Sequence, residues 1–118
     1  MNVHNRIADA RLAMRTEFEA EAVRLGATVH TQGDTLVAAW PGAARQTTSA
    51  TLSTVDGRLV LTETATLRVP KELPEDLVER FGHRSAVVGR LREHLRMVER
   101  VSGVPLLVPP EPLNVVRA

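Results

Sequence analysis

Residues Thr47–Val69 read TTSATLSTVDGRLVLTETATLRV, and the two residues near the middle decide how the stretch folds. Asp56-Gly57 is a favoured two-residue connection between antiparallel strands, because a type I′ turn needs positive φ at both central positions. Folding about that turn sets Thr54 opposite Leu59, Leu52 opposite Leu61 and Ala50 opposite Glu63, with Ala65, Leu67 and Val69 continuing the same side. Side chains alternate along a strand, so one face of the hairpin is mostly apolar. Ser53, Val60, Thr62, Thr64, Thr66 and Arg68 make the other face largely polar. Glu63 interrupts the apolar face and needs a rim position or a partner.

An apolar face must be covered, and the N-terminal segment supplies the cover. From Asn5 to Leu25, Ile7, Ala10, Met14, Phe18, Ala22 and Leu25 recur at helical spacing. Asn2 or Asn5 offers an N-cap, and Gly26 stands where a left-handed C′ residue belongs. Leu12 and Val23 lie off the main stripe: either they form a second apolar contact, toward a partner subunit, or they are the scattered apolar residues that a helix surface ordinarily carries. Ala27–Thr31 and Thr35–Trp40 read as short strands joined through Gln32-Gly33-Asp34, and Pro41-Gly42 stops the second.

After Val69, Pro70 ends the strand, and Pro74-Glu75-Asp76 begins a short helix to Phe81. Two periods compete beyond it. Leu77, Phe81, Val88, Leu91, Leu95 and Val98 fit one helix, which would carry Gly82 and Gly89 at about 1 kcal/mol each. Leu95, Met97 and Val101 alternate with His94, Arg96 and Arg100. The alternation is preferred, giving strands at Ala86–Arg92 and Leu95–Ser102. The remainder, with Pro105, Pro109, Pro110 and Pro112 among aliphatic residues, is a tail that docks somewhere. Leu113–Arg117 suits an edge strand.

The expected architecture is therefore α+β: an N-terminal helix packed on a mostly antiparallel sheet or small β-barrel, with a short helix near 74–81. It forms a single domain over 1–118, divided into a helix (1–26), the sheet with its short helix (27–102) and a Pro-rich tail (103–118). The composition, 43% hydrophobic and 25% charged, is globular. Only Phe18, Trp40 and Phe81 are aromatic, so the core is thin and aliphatic and gains from a neighbouring subunit.

Several chemistries are excluded or disfavoured. Without cysteine there is no disulfide, thiolate metal site or Cys nucleophile. No apolar run reaches the roughly 18 residues of a membrane span, and the N-terminus lacks a signal-peptide core. No GxxxxGKS/T, GxSxG or HExxH pattern occurs. His4, His30, His83 and His94 form no metal-binding pair at helical spacing. Glu17 with Glu21 suits solvent or a cation such as Arg24, and Glu75, Asp76 and Glu79 suit a helix start. The expectation is no enzyme, no cofactor and no metal.

One charge feature stands out: Arg80, Arg84, Arg90, Arg92, Arg96 and Arg100 lie against only Glu93 and Glu99. Arg90, Arg92, Arg96 and Arg100 form a candidate surface for an acidic partner. Lacking interleaved aromatic residues for base stacking, the segment is not expected to bind nucleic acid specifically. A small regulator or adaptor using this surface, on nucleic acid or an acidic protein, is the alternative functional reading. It would keep the protein in the cytoplasm.

Ala65–Lys71, ATLRVPK, and Leu95–Gly103, LRMVERVSG, resemble segments of the small head–tail joining proteins of tailed bacteriophages and prophages. Those proteins carry a TATLRVPK-like strand exit ahead of a segment of the form VVxxxGxxYRVxxVSG. The matching positions are Leu67 to Lys71, then Val87 and Val88, then Arg96, Met97, Val98, Val101, Ser102 and Gly103. Arg92-Glu93-His94 and Leu95 stand where the pattern has a turn glycine and an aromatic residue. The resemblance implies a virion component that forms a ring with itself, touches portal and tail proteins, and has no catalytic residues. Leu12, Val23, Leu106, Leu107, Val108, Val115 and Val116 are the candidate subunit interface. The tail either reaches an adjacent subunit or folds back on its own sheet.

Overall fold

The computed structural model describes residues 3–40, 46–72, 74, 86–110 and 114–117. Its elements are α1 (Val3–Arg24), β1 (Thr28–Gln32), β2 (Thr35–Trp40), β3 (Gln46–Val55), β4 (Arg58–Val69), α2 (Ala86–Ser102), β5 (Leu106–Leu107) and β6 (Asn114–Arg117). The fold is α+β. The six strands form one open sheet in the order β1-β2-β3-β4-β5, with β6 also on β4, and the sheet does not close into a barrel. The expected short helix at 74–81 lies, apart from Pro74, outside the described residues.

The central hairpin has the register read from its turn: Thr54 pairs with Leu59, Leu52 with Leu61 and Ala50 with Glu63. Asp56 and Gly57 have φ of 52° and 76°, the paired positive values that let a two-residue turn follow the strand twist. In the β1–β2 hairpin, Gln32 pairs with Thr35. Gly33, at φ 59°, takes the bend.

Helix α1 ends in a Schellman arrangement. The amide of Gly26 donates to Val23 O (3.0 Å) and that of Ala27 to Ala22 O (2.9 Å), with Gly26 at φ 96°. A Cβ at Gly26 would meet nothing within 4 Å, so the position is closed to other residues by backbone conformation alone. Gly26→Ala is expected to destabilise the fold by about 1–2 kcal/mol, read as a lower urea midpoint at unchanged slope. An unchanged midpoint would contradict this account of the cap.

The core lies between the helices and one sheet face. Met14, Phe18 and Ala22 of α1 and Val88, Leu91 and Leu95 of α2 pack on Leu36, Ala38, Ala50, Leu52, Leu59 and Leu61, closed at one end by Val104 and Leu106. Trp40 borders this core and donates its indole N–H to Leu25 O (3.2 Å), tying the end of β2 to the end of α1.

One expectation is corrected. Ala86–Arg92 and Leu95–Ser102 are not strands but the single helix α2. The burial stripe Val88, Leu91, Leu95 overrides the short alternation, whose members Met97 and Val101 are 55% and 91% exposed. Gly89 falls in the first helical turn, where few helical hydrogen bonds are yet made, and Gly82 lies outside the described residues. The sheet is mostly antiparallel, as expected, with its parallel pairings confined to the two short strands on β4. A helix of 17 residues spans about 25 Å and carries the chain back along β4, so that β5 and β6 run parallel to it. Leu59 pairs with Leu106 and Val60 with Leu107. The offset is one residue larger at Thr66 and Asn114.

Candidate interaction surface

The tail is held at the sheet rim by two side chains of α2. Arg96 and Glu99, one helical turn apart, are joined at 2.9 Å. Glu99 accepts the backbone N–H of Leu106 (2.6 Å), while Arg96 donates to the carbonyl of Leu106 (2.7 Å). Both main-chain groups of the edge residue thus find partners where a further strand would otherwise pair. Just before it, Gly103 caps α2 at φ 75°, its backbone N–H donating to Glu99 O (2.8 Å). Burial works against the Glu99 carboxylate, but the Leu106 amide and the Arg96 guanidinium, with Arg100 beyond it, outweigh burial and hold its pKa below the ordinary value.

The same helix explains Glu63. Its carboxylate, on the core-facing side of β4, meets Arg92 at 3.0 Å, a residue one helical turn before Arg96. Of the four arginines expected to face an acidic partner, Arg92 and Arg96 are therefore committed within the fold. Helical rather than alternating geometry turns both toward the sheet. Arg90 and Arg100 remain exposed, and Arg100 donates to Arg96 O (3.4 Å).

The two helices meet through Glu17 and His94, 2.8 Å apart. Glu21, the other carboxylate of that pair, is bridged by Arg24 on its own helix, and that bond holds the Glu21 carboxyl below its ordinary value. Among the described residues no group of three or more His, Asp or Glu side chains is arranged to hold a metal ion, and no helix is long and apolar enough to cross a membrane.

The candidate interface residues divide. Leu12 and Val23 are 62% and 56% exposed, on the side of α1 opposite Met14 and Phe18. Leu107 and Val116 are also exposed. Leu106 is corrected: it is 3% exposed and belongs to the chain's own core, because parallel pairing with Leu59 turns it beneath α2. Val108 is partly buried against that core, and Val115 pairs with Leu67 in the β4–β6 ladder. Tail residues 106–107 and 114–117 fold back onto their own sheet. Met97 and Val101 join the exposed aliphatic set. Sequence reading missed their exposure by assigning them to the buried side of a strand.

A further feature was not legible in the chain order. Where the 56–57 turn meets the end of α2 and the start of β5, a cleft of about 400 Å³ opens. Leu59, Val104, Pro105 and Leu107 form its apolar lining, and Arg11 and Arg58 its charged rim. Arg11 also donates to Gly57 O, fastening α1 to the turn. The two arginines stand 47 positions apart in sequence, with no shared motif to connect them.

No protein-family description, curated protein or solved structure matches the chain.

Proposed function

We propose that this chain is a non-catalytic structural subunit of the neck of a tailed bacteriophage or prophage. Copies of it join head to tail into a closed ring between portal and tail, and it ends in the virion. One observation carries the reading: away from its buried stripe, α1 leaves two large aliphatic side chains, Leu12 and Val23, in solvent among the exposed Thr16, Glu19 and Arg24. Met14, Phe18 and Ala22 are buried, while Leu12, Ala13, Ala20 and Val23 are exposed on the remaining surface. A surface helix serving a single core needs one apolar stripe, with polar residues opposite. Head-to-tail contacts between copies generate a ring when the rotation closes. The ATLRVPK exit of β4 adds the resemblance to joining proteins, although LRMVERVSG forms the end of α2 here rather than a strand.

Light scattering across protein concentration, with and without a phage portal protein, tests the proposal. A ring of uniform mass is expected in at least one condition. The double variant Leu12→Asp, Val23→Asp should stay folded, since exposed substitutions typically change stability by less than about 0.5 kcal/mol each, yet remain monomeric throughout. A monomeric parent in both conditions, or a double variant that assembles like the parent, would overturn it.

A further inference from the structure

We infer that the cleft between Arg11 and Arg58 is a docking site for a peptide segment of a partner protein in which a carboxylate stands beside an aliphatic side chain. Its volume, about 400 Å³, falls at the small end of the range that ligand clefts occupy. The lining offers two kinds of contact: aliphatic surface from Pro105 and Leu107 over the buried Leu59 and Val104, and guanidinium from Arg11 and Arg58, with no acidic side chain among them. Leu107 is 45% exposed, so apolar surface is open to a partner beside the charge.

The Arg58 side chain makes no hydrogen bond or ion pair among the described residues. Arg11 spends one Nη on Gly57 O, which orients its planar fork at the rim and leaves further N–H groups to donate. Gly57 and Gly103, both at positive φ, put no side chain at the mouth. A nucleic-acid backbone would satisfy the arginines but bring no aliphatic group to the floor, so the apolar half of the cleft selects the peptide. This inference stands apart from ring assembly, because binding is read on the isolated chain.

The test is an NMR titration of the isotope-labelled full chain with acetyl-Leu-Glu-Leu-Asp-amide, its uncharged counterpart acetyl-Leu-Gln-Leu-Asn-amide, and a short oligothymidylate. The acidic peptide is expected to shift the amides of Gly57, Gly103 and Leu107 and to bind about two- to fivefold more weakly in Arg58→Gln. The reversal Arg58→Glu should weaken it further. Resonances far from the cleft should overlay those of the parent and show that the variants are folded. Absence of shifts at these amides, equal response to the uncharged peptide, undiminished binding by both variants, or a response only to the oligonucleotide would each overturn the inference.

Discussion

Phe18→Ala is expected to remove about 3–5 kcal/mol of stability, a large part of the roughly 5–15 kcal/mol that holds a typical domain together. Phe18 is fully buried and is the largest of the fully buried side chains among the described residues. The groups around it are aliphatic or alanine, and Ala22, Ala38 and Ala50 in the same core cannot extend to fill the space it would leave. A core built from short side chains on a rigid sheet relaxes poorly around a void, which keeps the cavity cost near the upper part of its range. Urea unfolding should show a sharply lower midpoint, with Phe18→Leu falling between. If Phe18→Ala unfolded at the parental midpoint, the packing of α1 on the sheet would be refuted.

Replacing Glu99 by Gln should cost about 2 kcal/mol at neutral pH, because it weakens a charge-assisted bond to the Leu106 amide and the pairing with Arg96 together. The loss should be local as well as global: hydrogen exchange at the Leu106 amide should accelerate more than at Leu52 or Leu61. The pH dependence follows from the lowered pKa of Glu99. The unfolded chain takes up this proton more readily than the folded one. The stabilisation is therefore fully present above the ordinary carboxyl value of 4.5, and it is lost as pH falls through the lower folded value. The gap between parent and Glu99→Gln should accordingly narrow on acidification. A gap that widened in acid would assign the opposite sign to the shift and dismiss the clamp as the cause.

The Glu99 effect concerns how one sheet rim is closed, and the rim also bears on assembly. The β5 segment is occupied by its own helix, so the tail contributes Leu107 and Val116 to the outer surface rather than Leu106. Exposed aliphatic residues on the backs of both helices, Leu12 and Val23 on α1 and Met97 and Val101 on α2, then become the more plausible subunit contacts in the proposed ring. Substituting them separates assembly from folding. Phe18 and Glu99 do not permit that separation.

What the sequence determined by itself was local. A two-residue turn with two positive-φ positions and alternating flanks set the hairpin register, since a slip of one residue would turn Leu52, Leu59 and Leu61 to water. The spacing of Met14, Phe18 and Ala22, with a glycine after the last turn, set α1 and its end. Tertiary structure decided the rest. Short apolar runs in Ala86–Ser102 satisfied both periods, and the choice was made by what lay opposite: Leu91 and Leu95 had a sheet to cover, Glu63 needed Arg92, and Leu106 needed Arg96 and Glu99. Those partners come from segments far apart in the chain. The cleft at Arg11 and Arg58 has the same origin, for it exists only once the turn, the end of α2 and the returning tail are brought together.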